Sequence, residues 1–261
     1  MGQFLRDQKV KNVGIDESTL DRLNDAFAAR VALHNVGLQA NDSAIAVLFY
    51  IIRFDEKGYR FVTFDDVKKC FREARDVERI VFTVDSGLNR SAGPILGTNC
   101  DLRLDKDPNA CWLTVTGDSK DWVDVTFVNI TEVLGGQKTW SRLIRTPWTG
   151  LLIQLAGVLI GFVLSLWAAQ KIAPLLNIDN AFVVVLFFSL LIYSNVWAYI
   201  NTQIARVVDF SFPNVRFRRV GKDWVHLAVQ SVVGGLAITF GAFVIDKMFT
   251  LVGTVVASFI K

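Results

Sequence analysis

The chain has 261 residues, 52% of them hydrophobic and 20% charged, with a formal net charge of +3. The charge is unevenly divided: residues 1–146 hold 20 Lys/Arg and 21 Asp/Glu, and residues 147–261 hold 8 and 4. The basic balance therefore belongs to the apolar half and gives no argument for nucleic-acid binding, while three irregularly spaced cysteines, Cys70, Cys100 and Cys111, exclude a disulfide framework or a zinc site and read as reduced, buried thiols.

The N-terminus runs straight into polar sequence with no apolar h-region, so no cleavable signal peptide is expected. Gly2 resembles a myristoylation acceptor, but Arg6 stands where that motif needs Ser or Thr. Residues 17–36 read as an amphipathic helix, with Leu20, Leu23, Phe27 and Val31 at helical spacing, Asp16 as N-cap and Gly37 as the stop. Residues 44–54 and 59–64 are rich in β-formers around a turn at 55–58 and predict a hairpin. Asp65 or Asp66 can cap a second helix running through Arg75. Strands are expected at 79–85, 100–105 and 111–117, with turns at 105–108 and 117–120, and residues 121–135 read as starting extended and ending helical. The order α-β-β-α-β-β-β-α with tight turns predicts an α+β domain over residues 1–140: a mostly antiparallel sheet with helices on one face.

No catalytic constellation stands out in this domain. Residues 91–98, Ser-Ala-Gly-Pro-Ile-Leu-Gly-Thr, lack the Lys-Ser/Thr of a phosphate-binding loop. The two histidines, His34 and His226, fall in different halves, and the acidic pairs Asp65/Asp66 and Asp105/Asp107 sit at turn or cap positions. The expectation is therefore a non-enzymatic protein without cofactor or metal. Lys68, Lys69, Arg72, Arg75 and Arg79 cluster on and after the second helix, with four of the five at helical spacing. They read either as an anion site for a nucleotide, an oligonucleotide or lipid headgroups, or as a solvated face balanced by Glu73, Asp76 and Glu78.

Residues 141–261 read as an all-α transmembrane domain of three helices, at about 148–170, 181–205 and 224–260. Residues 148–170, 181–203 and 225–245 carry no charge, and each stretch is long enough for a ~30 Å hydrocarbon core. Trp148, Trp167, Trp197, Tyr199 and Trp224 lie toward span ends, where amphipathic rings favour the interface. Lys138, Arg142, Arg145, Arg206, Arg216, Arg218, Arg219 and Lys222 would share one side against Lys171, Lys247 and Lys261 on the other. The positive-inside rule then makes the N-terminal domain and the 206–223 loop cytoplasmic, in a plasma or bacterial inner membrane.

On the first span Gly150, Gln154, Gly157, Gly161, Ser165 and Ala168 form a mostly small-residue stripe of the kind that lets helix backbones approach. The second span is bulky and apolar over 182–192 and polar after it, with Tyr193, Ser194, Asn195, Tyr199, Asn201, Thr202 and Gln203. Residues 210–218 alternate apolar and polar and read as an extended segment coupling the soluble domain to the third span. On the third segment Ala228, Ser231, Gly235, Thr239, Ala242, Asp246, Thr250, Gly253 and Ala257 stay in phase, widened by Gln230, so a single helix of ~54 Å is expected, at about 1.5 Å per residue. A separate segment after Lys247 is the alternative.

Three spans are too few to enclose a path, so the expectation is a cyclic homo-oligomer in the lipid bilayer, a tetramer being one such symmetry. It would form a pore lined by Gln230, Ser231, Gly235, Thr239, Ala242, Asp246 and Thr250, with Gly150, Gly157, Gly161 and Ser165 packing helices. The N-terminal domain would gate this ion channel or membrane-permeabilising effector on binding a ligand or protein partner. A non-conducting membrane anchor that recruits a protein partner is the competing expectation.

Overall fold

The computed structural model describes residues 3–39, 42, 44–87, 97–139 and 141–218, and beyond these Ala228, Ser231, Val232, Gly235, Thr239 and Thr250. The chain divides into two units, Met1–Arg142 with Pro213–Asp223, and Leu143–Phe212 with Trp224–Lys261.

In the first unit the elements are β1 (Phe4–Lys9), β2 (Val13–Ile15), α1 (Glu17–His34), β3 (Ala46–Phe54), β4 (Lys57–Phe61), α2 (Phe64–Glu73), β5 (Val77–Ser86), β6 (Asn99–Asp105), β7 (Trp112–Gly117), α3 (Lys120–Gly135) and β8 (Val215–Phe217). Six strands form one antiparallel sheet in the order β1-β7-β6-β5-β3-β4. Side chains alternate across the pleat, so register decides what faces inward. Tyr50, Phe82, Leu102 and Leu113 lie in one cross-strand row, and Ile52, Ile80 and Leu104 in the next. Leu20, Leu23 and Phe27 of α1, Val67 and Phe71 of α2 and Trp122, Val123, Phe127 and Ile130 of α3 join these rows in one core. The α+β antiparallel architecture is thus present.

Local chemistry sets the element ends. Asp16 caps α1, its carboxylate accepting from Thr19 N at 2.8 Å, and Gly37 just past the helix takes φ +82°. Burial works to raise the Asp16 pKa, but hydrogen bonds from Thr19 and Ser18 outweigh it and hold the carboxyl below its usual range. The β3–β4 hairpin turns on Asp55 and Glu56, both at positive φ, as a two-residue loop of primed type requires. Neither is glycine. The Asp55 carboxylate accepts from Arg75 N at 2.9 Å and Asp76 N at 2.8 Å, and Glu78 accepts from Glu56 N at 2.8 Å, which fixes the turn from outside.

Three expectations are corrected. Residues 121–135 are helical from the start, capped by Ser119. Trp122, Val123, Thr126, Phe127, Ile130 and Leu134 bury one face at helical spacing, although the β-branched residues in the run imitate a strand. The N-cap position of α2 is Thr63, with Asp65 and Asp66 in the first turn, where they complement the helix dipole. β1 and β2 precede the first helix, whereas the expected order begins with that helix.

The second unit contains α4 (Ser141–Ile144, reaching in from the end of the first unit), α5 (Pro147–Ile172) and α6 (Ala181–Ser211). The last two are long and apolar enough to cross a membrane. In their most apolar windows only 17% and 6% of residues are buried, whereas the core helix of a water-soluble fold would be mostly buried. α6 runs on to Ser211, past the expected end at 205. A third span falls outside the described residues, save that Ala228, Ser231, Val232, Gly235, Thr239 and Thr250 are helical and exposed. Gln230, Ala242 and Asp246 are also outside them.

Candidate functional site

Strand β2 is three residues long and fully interior: Val13 is 3% exposed and Ile15 0%. Its two sides are occupied by the two ends of the connection through the second unit. On one side, residues 137–139 lead out of α3. Gly14 N donates to Gln137 O at 2.8 Å, Thr139 N donates to Asn12 O at 2.9 Å, and Val13 bridges Lys138 in antiparallel fashion. On the other side, β8 returns after α6 and pairs in parallel, Val13 with Val215, Gly14 with Arg216 and Ile15 with Phe217. Arg218 N closes that pairing on Ile15 O at 2.7 Å.

Asn214 pins the return. Its Nδ2 donates to Val10 O at 3.0 Å, its Oδ1 accepts from Asn12 N at 3.0 Å, and its carbonyl accepts from Val13 N at 3.0 Å. Asn12 sits at φ +58°, a conformation asparagine tolerates better than most residues. Asn12 Oδ1 and Thr139 Oγ1 are buried without a hydrogen-bond partner among the described residues. Phe217 sets its ring edge-on to Phe71 of α2 at 6.4 Å, joining β8 to the core. Gly14 is closely approached: an added Cβ would lie 3.1 Å from Arg218 Nε and 3.2 Å from Thr139 Cγ2.

Sequence reading places an extended coupling segment at 210–218 but misses its partner. Val-Gly-Ile is too short for a periodic signal, and Asn214 shows only as a turn residue after Pro213.

In the second unit, Gly157, Gly161, Ser165 and Ala169 are the buried face of α5. A Cβ at Gly157 would collide with the Trp197 ring and one at Gly161 with the Tyr193 ring, so both glycines admit aromatic side chains of α6. Tyr193 Oη donates to Gly157 O at 2.9 Å, and Tyr193 and Trp197 stack at 6.2 Å. Arg145, ahead of α5, pairs with Asp209 in the last turns of α6. Gly150 faces open space. Asn195, Tyr199 and Thr202 are exposed. Asn195 Nδ2 donates to Leu191 O at 3.0 Å, and Thr202 Oγ1 to Ala198 O at 2.9 Å.

The basic cluster is dispersed. α2 ends at Glu73, so Arg75 lies beyond it and Arg79 is on β5; the helical spacing does not carry through. Lys68 Nζ lies 2.8 Å from Asp21, and Arg72 pairs with Glu17. The hydrogen bond from Arg72 holds the Glu17 carboxyl below its usual range. Arg79 Nε lies 2.6 Å from Asp105, which Arg103 also reaches at 3.3 Å. Lys69 shares an open depression with Lys68, Arg72, Asp65 and Glu73. Cys70, Cys100 and Cys111 are all free, and among the described residues no cluster has the makings of a metal site.

No family model matches this chain, and no curated protein or solved structure is significantly similar to it.

Proposed function

We propose that the chain is a homo-oligomeric membrane pore, an ion channel or a membrane-permeabilising effector, gated from its α+β unit through strand β2. The observation that carries the reading is that one buried strand takes the outgoing connector on one edge and the returning connector on the other. A displacement of β2 relative to the sheet would act on both connectors at once. Asn12 Oδ1 and Thr139 Oγ1, buried without a hydrogen-bond partner among the described residues, lower the cost of rearranging the clamp, since each such atom costs roughly 1–3 kcal/mol where it stands. The exposed positions Ser231, Gly235 and Thr239 belong to the stripe assigned to the pore, and Asp246 on that stripe would form a carboxylate ring favouring cations. In this reading the α+β unit is cytoplasmic, on the lysine- and arginine-rich side of a plasma or inner membrane. A nucleotide, an oligonucleotide or a protein partner that binds one β2 arrangement better than the other would shift the population.

The non-conducting anchor is the second reading. It is favoured by the Gly157/Gly161 stripe being filled by Trp197 and Tyr193 of the same chain, which removes one demand for an oligomer. Ion-flux recording on the full chain in liposomes separates the two. Asp246→Asn changes cation selectivity in a pore, and Asn214→Ala, which releases the clamp, raises the open fraction without changing selectivity. Wild type, Asp246→Asn and Asn214→Ala all folded and all silent would establish the anchor.

A further inference from the structure

We propose that β1 is the edge on which a second copy of this chain pairs, strand to strand, across a two-fold axis at Gln8. β1 and β4 are the two edges of the six-stranded sheet. Natural edges are guarded against such pairing by shortness, bulges, proline or charged side chains. β1 keeps register with β7 over all its residues, without bulge or proline, and its charges are of both signs. β4 carries Lys57 and Arg60 and no acid, so it repels a copy of itself.

The backbone that β1 offers follows from its bonds to β7. Val10 N donates to Cys111 O at 3.1 Å, next in phase after the Lys9–Trp112 pair. Antiparallel pairs alternate between bonded and unbonded. Phe4, Arg6, Gln8 and Val10 therefore turn their N–H and C=O groups to β7, and Leu5, Asp7 and Lys9 turn theirs outward. The same alternation sets the side chains of Leu5, Asp7 and Lys9 on one face of the sheet. Arg6 lies on the other face, 3.0 Å from Asp124 and over the Phe127 ring at 4.2 Å. Asp7 is exposed and has no ion pair among the described residues. Lys9 Nζ donates to the neutral Asn109 Oδ1 at 2.9 Å. The edge thus presents one anion and one cation, two positions apart on one face and neither balanced by an opposite charge. That pattern is complementary to itself.

Charge also selects the register. With Gln8 set against Gln8 of the second copy, Asp7 of each copy stands opposite Lys9 of the other, in hydrogen-bonded pairs made by the outward backbone groups. Sliding the strands by two residues sets Asp7 against Asp7 or Lys9 against Lys9, and like charges directly opposite are destabilising. Sliding by one residue exchanges the faces. The contact is isologous and closes at two copies, whereas β1 on β4 would leave open ends. It rests on the homo-oligomeric reading, names one contact between copies in it and is independent of conduction.

The test is oxidative cross-linking of the purified full chain in detergent, with Cys70→Ser throughout; Cys100 and Cys111 are buried. In the paired strands Gln8 and its copy form an unbonded pair with Cα atoms about 4.5 Å apart, within disulfide reach. Phe4 and its copy lie roughly 27 Å apart, at about 3.4 Å per residue. Gln8→Cys is expected to form a disulfide dimer more than about tenfold faster than Phe4→Cys. Added to Gln8→Cys, Asp7→Lys alone and Lys9→Asp alone should each slow the cross-link by more than about tenfold. The two together should restore it, because the exchange rebuilds both pairs. Neither residue has a charged contact within its own chain among the described residues, so the reversals leave the fold intact, which an unchanged Tm checks. Equal cross-linking of Gln8→Cys and Phe4→Cys, or an exchange no faster than the single reversals, would overturn the pairing. Ion flux in liposomes without a Gln8→Cys cross-link would overturn it too, and would leave the pore standing.

Discussion

Asp105 joins strands that the sheet alone would leave less firmly tied. Its carboxylate accepts from Arg79 Nε, from Arg103 and from the backbone of Asp107 at 3.0 Å. Burial works to raise its pKa, but the Asp107 and Arg79 hydrogen bonds and the Arg79 charge outweigh it, and the carboxyl is held below its usual value. A depressed carboxylate stabilises the fold above the unfolded-chain pKa of about 3.9 and loses that contribution as pH falls toward the folded value. Stability of the full chain in detergent should therefore fall as pH drops below about 4. Asp105→Asn should remove that part of the slope while lowering stability at neutral pH by about 1–3 kcal/mol. A variant that kept the wild-type slope would assign the acid sensitivity elsewhere. The sequence places Asp105 at a turn and Arg79 in a basic cluster. Their pairing depends on β5 lying beside β6, which neither residue signals.

Among the elements, α5 and α6 show a recognised pattern whose partner only the structure names. The Gly157/Gly161 stripe is plain in the sequence, and close approach is what such a stripe permits. What approaches is Tyr193 and Trp197 of α6, which the sequence shows only as one of the polar residues after 192 and as a ring toward a span end. Gly161→Leu should displace the Tyr193 ring, break its bond to Gly157 O and destabilise the helix pair by at least the roughly 1–3 kcal/mol of overpacking. The effect should appear as a lower Tm and faster proteolysis within 173–180. Gly150→Leu meets open space and should be neutral in the isolated chain, and equal losses from the two would count against this packing. The strands are legible where they are long and face the core. β1 is not: all but one of its residues are exposed, and an edge strand exposed on both faces carries no alternation.

At the scale of the molecule, the β2–β8 pairing joins residues 202 positions apart and makes the helical hairpin a long insertion in the α+β unit. Because residues 137–139 and 214–218 bind one strand, both ends of the insertion must lie on the same side of any membrane it crosses. After Cys70→Ser, single cysteines at Asp118 and Arg218 should react with an impermeant maleimide from one side, and a cysteine at Asn177 from the other. Opposite labelling of Asp118→Cys and Arg218→Cys would refute the pairing.

The sequence by itself determined the α+β class, the capped α1, the core strands and two helices of membrane-spanning length. Each of these writes a local hydrophobic period or a capping residue into contiguous sequence. Only the tertiary structure decided that α3 is helical throughout, that the glycine stripe is filled from α6, and that Val13–Ile15 receives both connectors. Backbone hydrogen bonds between three-residue strands require no side-chain pattern. Their partners are chosen by where the rest of the chain brings them.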